Sequence, residues 1–351
     1  MTVSPISAAP ATNKFDKYHK KETDMNLTIE QIRSIATGVS RVEERDGAIH
    51  LLRFTAEQEA IYAARKDQGF WIKSNATAGV RLEFITDSRT LSIETKVSAG
   101  SSRRFFTYEV FCNGEKIGSH GGTQLTDEVI VGSYTNLGEG QKRIRVVFPW
   151  SVASPLLRFS LDDGATVLPI KKSCTMLIYG DSITQGYDVQ NPAGSYASLL
   201  TDALDANAIN KGIGGECFRP SLAEASDEIE PDYVTVAYGT NDWHKKEKEV
   251  FEENCAAFYQ ALSRRYPKAK IFAITPIWRE DNDRLTKVGS FSYAADYIEQ
   301  AVKALPNVTV LRGMDFVPKD PAYFSDKYLH PNDEGFAHYF KNLYEAIKQY
   351  L

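Results

Sequence analysis

The spacing of apolar and polar residues changes twice along this chain. A short helical stretch comes first: Ile29, Ile32 and Ile35 recur at helical spacing and share one face. Thr28 is placed to cap its start, Gln31 completes a capping box three residues later, and Gly38 marks its end. From about residue 46 to residue 170 the period shortens to that of strands. Arg81-Leu82-Glu83-Phe84-Ile85 and Thr90-Leu91-Ser92-Ile93-Glu94 both alternate, with a turn-like Asp87-Ser88 between them. Phe106 to Phe111 alternates as well and runs into Asn113-Gly114, a strong hairpin signal, after which Lys116-Ile117-Gly118 returns. Arg143 to Phe148 and Leu156 to Ser160 continue the series. Many short strands at this spacing predict an antiparallel β-sandwich.

Near Lys171 the pattern changes again. Met176-Leu177-Ile178-Tyr179, Tyr233 to Ala237, Ile271 to Ile274 and Val308 to Leu311 are short runs almost free of polar residues. Such runs fit strands buried on both faces of a parallel sheet. Helical stretches separate them, over 196–204, 250–265 and 294–305, with a closing one over 334–349. Alternating strands and helices predict a three-layer α/β domain, whose sites form beyond the carboxyl ends of the strands. The expected organisation is a polar leader over 1–26 with Met25 as a natural start, a β-sandwich accessory domain over 27–170, and an α/β domain over 171–351.

Composition adds limits. The chain has 351 residues, enough for two cores, with 42% hydrophobic and 25% charged residues as in ordinary globular proteins. The net charge of −5 and dispersed basic residues make nucleic acid an unexpected partner. No apolar run reaches membrane-spanning length, and the first residues lack the apolar core of a secretory signal. Cys112, Cys174, Cys217 and Cys255 show no paired spacing, which suits a reducing, cytoplasmic setting. Neither a cofactor nor a metal is expected, because no ligand spacing such as His-Glu-x-x-His occurs.

Four segments carry candidate chemistry. Gly180-Asp181-Ser182-Ile183-Thr184-Gln185-Gly186 follows a strand, where a serine projects from the sheet edge and backbone amides face outward. Taken alone, the tripeptide Gly-Asp-Ser is also a plain turn. Asn210-Lys211-Gly212-Ile213-Gly214-Gly215 lets a backbone N–H approach a substrate oxygen without a side chain intervening, or is simply a glycine turn. Tyr238-Gly239-Thr240-Asn241-Asp242 offers an asparagine amide as an oxyanion donor, or as a helix cap. Asp326-Lys327-Tyr328-Leu329-His330-Pro331-Asn332 offers a histidine able to take a serine proton near neutral pH. His19, His50, His120, His244 and His338 are expected to be ordinary residues, with His244 kept in view beside the third segment. Together the four supply a nucleophile, oxyanion donors and a base, as acyl transfer requires.

In order and content these segments resemble the SGNH/GDSL hydrolase family, over about Thr175 to Leu351. The matches are Ser182 in Gly-Asp-Ser, Gly215 in Gly-Gly-Glu, Asn241 in Gly-Thr-Asn-Asp and His330 in Leu-His-Pro. The resemblance implies a flavodoxin-like fold around a five-stranded parallel sheet. It also implies an oxyanion hole made by the N–H groups of Ser182 and Gly215 with the Asn241 side chain. One position departs from the family pattern. An aspartate usually stands three residues before the histidine; here that residue is Lys327, and Asp326 lies four before. Asp326 can orient His330 if the loop bulges by one residue; otherwise a backbone carbonyl holds the ring and leaves a Ser–His dyad.

The N-terminal region resembles the jelly-roll-like domain that precedes the hydrolase domain in some carbohydrate esterases. By this analogy the substrate is a short acyl ester, particularly an O-acetyl group on a carbohydrate: an oligosaccharide or small-molecule ester, with homo-oligomerisation left open. Trp243 and Trp278 follow strand ends and either line the substrate pocket or pack between domains. Trp71, Phe105, Phe106 and Tyr108 offer a sugar-stacking surface, although strand aromatics more often form core. Two other functions share these residues: an acyltransferase using the same serine, and a carbohydrate-binding protein that has kept only the fold.

Overall fold

The computed structural model describes residues 24–225 and 227–351. Residues 1–23 of the expected leader lie outside the described residues. Asp24–Asn26, assigned above to that leader, instead forms a strand paired antiparallel with Ser160–Asp162. The predicted first helix spans Ile29–Ile35, and Thr28 and Gln31 form the reciprocal capping box, which satisfies donors the helix itself cannot use. Two six-stranded antiparallel sheets follow. One runs, in spatial order, through Ile130–Thr135, Thr90–Thr95, Leu156–Asp162, Ala48–Leu52 and Arg41–Arg45, with Asp24–Asn26 as its sixth strand; the other runs through Leu168–Pro169, Arg81–Thr86, Lys142–Val147, Phe106–Cys112 and Glu115–Gly122, with Ala36–Thr37 paired to Arg81–Thr86 as its sixth. Their inner faces meet in one core, where Phe84 and Phe159 contact edge to face across the gap. Asn113 and Gly114, at φ of 51° and 90°, close the predicted two-residue hairpin between Cys112 and Glu115. Asp87-Ser88 does not make a hairpin. It carries the chain from one sheet to the other.

The sandwich region is interrupted by two helices that the strand reading missed, Ala56–Ala63 and Gly69–Ser74. They leave the sandwich core and join the other one. Phe54, Tyr62 and Phe70 pack with Leu177, Tyr179, Val234 and Trp243 of the C-terminal region. Arg53 is fully buried and donates to the carbonyls of Ala76, Asn210 and Gly212. Lys211 reaches back to Asp227, to Gln58 and to the carbonyl of Arg53. The N-terminal region therefore helps build the C-terminal core.

The C-terminal half forms the parallel sheet. Its strands are β1 (Cys174–Gly180), β2 (Ala206–Asn210), β3 (Tyr233–Ala237), β4 (Lys270–Ile274) and β5 (Val308–Leu311), in spatial order β2-β1-β3-β4-β5. All neighbours are parallel. Met176 to Tyr179 are almost fully buried, as strands covered on both faces require. Helices Lys248–Arg265 and Phe291–Val302 cover one face; Tyr196–Ala203 and Asp333–Ile347 cover the other. This is the doubly wound order in which the chain turns to opposite sides of β1 and opens a crevice at the carboxyl ends of β1 and β3.

Candidate active site

Ser182 stands at that crevice. The chain leaves β1 through Gly180, where a Cβ would come within 1.9 Å of Thr184 Oγ1, so only glycine permits the tight strand-to-helix turn. Asp181 caps the short helix Ser182–Gln185 by accepting from the Ile183 N–H at 3.0 Å. Burial pushes the Asp181 pKa up to about 6, partly offset by that hydrogen bond. The Ser182 Oγ lies 2.9 Å from His330 Nε2, and His330 Nδ1 lies 2.7 Å from Asp326 Oδ2. The other Asp326 oxygen accepts the N–H groups of Tyr328, Leu329 and His330 at 2.9, 2.7 and 3.1 Å. Burial works to raise the Asp326 pKa. The hydrogen bonds from His330 and from the Leu329 amide outweigh it and hold the carboxyl well below the usual range.

The extra residue in the loop is accommodated at Lys327, whose φ of 58° places it in the left-handed region. That turn is what lets an aspartate four residues before the histidine reach its ring. Main-chain bonds fix the segment on both sides: Ser325 N–H donates to the His330 carbonyl at 2.8 Å, and Asn332 N–H donates to the Tyr323 carbonyl at 2.9 Å.

The two remaining segments flank the serine. Gly215 follows β2 at φ of 85°, a conformation that favours glycine. Asn241 opens the helix Thr240–Lys245 after β3; it is buried, and its Nδ2 has no hydrogen-bond partner among the described residues. A buried, unpaired amide costs a fold about 1–3 kcal/mol, a cost that agrees with the expected part of a donor to a ligand oxygen. On the acyl-transfer expectation for the four segments, Asn241→Ala lowers kcat for ester cleavage by about 100- to 1000-fold with little change in KM, as initial rates against substrate concentration would reveal.

The next residue, Asp242, joins these two segments by accepting the Phe218 N–H at 3.1 Å. Burial pushes its pKa up from 3.8 to about 7. The unfolded chain therefore releases this proton first as pH rises, and the native state loses stability between about pH 4 and pH 7. Asp242→Asn keeps the acceptor and removes the titration. Its stability relative to the parent should rise by on the order of 3 kcal/mol between pH 4 and pH 8, read from urea unfolding at both. An unchanged difference would contradict the assignment.

Several residues join the site without any signal in the four segments. Tyr187 stacks on His330 with ring centroids 5.4 Å apart. Asp188 Oδ2 lies 3.6 Å from His330 Nδ1, and Arg103, from the sandwich region, grips Asp188 through two bonds of 2.6 and 2.8 Å. Asp188, Asp326 and His330 bring three possible ligand atoms within 4.8 Å of one another, but Arg103 already balances charge in that corner. Arg279 ties two segments together, donating to Thr240 Oγ1 at 3.1 Å and to the Tyr328 hydroxyl at 2.9 Å. Tyr187 and Asp188 lie just past Gly186 and were within reach of a longer motif; Arg103 is too distant in sequence to have been found.

The expected pocket tryptophans are placed differently. Trp243 is fully buried, packs edge to face on Phe291 and donates to the Gly289 carbonyl at 3.0 Å, as a core residue does. Trp278 is buried against Phe324 in the core beneath the opposite sheet face. Phe106 and Tyr108 are sandwich core, while Trp71 and Phe105 are partly buried. His244 is exposed and contacts Arg284.

Residues 178–338 match the model of the GDSL-like lipase/acylhydrolase family. The matched span holds Ser182, Gly215, Asn241 and His330. Solved structures extend the likeness over both regions. The salicylyl-acyltransferase SsfX3 from a tetracycline biosynthetic pathway superposes with a TM-score of 0.79 at 20% identity, covering 90% of this chain and 94% of that one. A family two carbohydrate esterase from Cellvibrio japonicus gives 0.66 at 17%, covering 93% and 98%. A family two carbohydrate esterase from Clostridium thermocellum, in complex with cellohexaose, gives 0.61 at 17%, covering 78% and 93%. At these identities the likeness is one of fold. No curated protein sequence matches the chain. Among the described residues, no helix is long and apolar enough to cross a membrane.

Proposed function

We propose that this protein, whose residues 178–338 match the GDSL-like family model, is a serine ester hydrolase that removes short acyl groups, O-acetyl above all, from carbohydrate hydroxyls. The observation that carries the reading is the unbroken chain Ser182 Oγ, His330 Nε2, His330 Nδ1, Asp326 at the carboxyl edge of the sheet. His330 takes the Ser182 proton as Oγ attacks the ester carbonyl, and Asp326 steadies the resulting imidazolium. The oxyanion is held by the N–H groups of Ser182 and Gly215 and by Asn241 Nδ2. When the intermediate collapses, the C–O bond to the sugar breaks and His330 protonates the departing alcohol. Water, deprotonated by His330, then attacks the acyl-enzyme, releasing the acid and restoring Ser182. All of this runs on the chain's own groups, without a metal or cofactor in any step.

The carbohydrate part of the reading is supported by the esterases that share both regions of the fold. A second reading, acyl transfer to an alcohol in place of water, is favoured by the extent of the likeness to a salicylyl-acyltransferase. The chemistry is identical up to the acyl-enzyme. The test is product analysis on acetylated oligosaccharides, with and without candidate alcohol acceptors. Free acetate and unacylated sugar support the hydrolase; a new ester formed at the expense of acetate supports the transferase. Glycan binding without turnover of any ester would overturn both.

A further inference from the structure

A cation from the N-terminal region touches the loop bearing Gly215 at a main-chain carbonyl. Lys73, in the helix Gly69–Ser74, is half-buried and donates from Nζ to the carbonyl oxygen of Gly214 at 2.7 Å. Its ammonium makes no ion pair among the described residues, and burial holds its pKa below the ordinary lysine value. The loop does not need this contact for its position. Arg53 binds the carbonyls of Asn210 and Gly212, the Asn210 side chain accepts the Gly212 N–H at 2.8 Å, and Gln185 Oε1 accepts the Gly214 N–H at 2.8 Å.

The Gly214 carbonyl and the Gly215 N–H are two ends of one peptide unit. A positive charge on the oxygen deepens the amide resonance and leaves the nitrogen and its proton more positive. We propose that Lys73 is a positioning residue that acts through this peptide, its ammonium on the Gly214 oxygen strengthening the Gly215 N–H as a donor to the developing oxyanion. The inference rests on the reading of Gly215 as an oxyanion donor. It gives the N-terminal region a part in the chemistry: one of its side chains sets the strength of a donor in the neighbouring core. Lys245, bonded to the Gly215 carbonyl at 3.0 Å, acts on the next peptide unit and not on this one.

The test compares Lys73→Met and Lys73→Arg with the parent chain by two readouts. In protein labelled with carbonyl-13C and 15N glycine, only Gly-Gly bonds give a carbon-filtered amide signal, and the sequence has two, Gly121–Gly122 and Gly214–Gly215. The first lies in the sandwich and reports that the variant is folded. The expected result is an upfield nitrogen shift of the Gly215 signal in Lys73→Met that Lys73→Arg largely reverses. With it, kcat for ester cleavage falls about 3- to 10-fold at unchanged KM in the methionine variant and recovers in the arginine variant. Ser182-dependent turnover with an unmoved Gly215 signal, or a rise in KM at constant kcat, overturns the role of Lys73 alone. Absence of Ser182-dependent turnover in the parent overturns the esterase reading and this role with it.

Discussion

Replacing His330 by alanine is expected to lower kcat for ester cleavage by on the order of a million-fold, with the protein still folded. The imidazole is the group within hydrogen-bond reach of the Ser182 hydroxyl, at 2.9 Å, and an unassisted hydroxyl is a weak nucleophile at neutral pH. What survives is the contribution of the oxyanion donors and of binding, about 1000- to 10,000-fold over water. The fold should tolerate the change, because the loop is anchored through main-chain atoms: the Ser325 and Asn332 amides bond to the His330 and Tyr323 carbonyls. Burst-free initial rates on p-nitrophenyl acetate, with circular dichroism as the folding control, check both parts. A variant within tenfold of the parent would remove His330 from the mechanism.

Asp326→Asn should cost about 10,000-fold in kcat, although the side chain keeps its shape. The oxygen that accepts three backbone N–H groups is retained, so the loop stays in place. The change falls on the other arm, which now presents N–H to His330 Nδ1. The imidazole must accept there, its proton moves to Nε2, and the nitrogen facing Ser182 can no longer act as a base. Asp188 does not stand in for the lost carboxylate, since it lies 3.6 Å from Nδ1 and both its oxygens are engaged by Arg103. Single-turnover acylation rates would check this. A loss below tenfold would mean that Asp188 serves as the acid member, or that a dyad suffices.

Much of this was legible in the sequence, and the reasons differ by element. The strands β1 to β5 announce themselves because burial on both faces leaves no polar alternation. The hairpin at Asn113-Gly114 was readable because positive φ at both positions selects those residues. The helix Ala56–Ala63 carried a signal that went unread: Thr55 and Gln58 repeat the capping box of Thr28 and Gln31. Its eight residues are too few to display a helical period among neighbouring strands, and its purpose, bringing Tyr62 to a distant core, is visible only in three dimensions.

The site divides in the same way. Ser182, Gly215, Asn241 and His330 sit on tight turns after strands or before a helix, where local geometry restricts residue type. Whether Asp326 reaches the ring depended on the backbone at Lys327, which a lysine does not advertise. The tryptophans misled because an aromatic after a strand end looks the same whether it faces a crevice or a second helix layer. Trp243 meets Phe291 in that layer, and Trp278 meets Phe324 in the segment ahead of the last helix. In the segment read for Trp278 it is the neighbouring Arg279 that bridges to the site. Arg103 and Lys73 belong to the site only because the two regions pack together.

The most direct test of the central claim is covalent. The protein and Ser182→Ala would each be treated with diethyl p-nitrophenyl phosphate, which transfers its phosphoryl group to an activated serine oxygen and releases p-nitrophenol, and their intact masses compared. The account predicts one diethylphosphoryl adduct on the parent chain, mapped by peptide sequencing to Ser182, and none on the variant. Equal labelling of both proteins, or an adduct mapped to another residue, would contradict it.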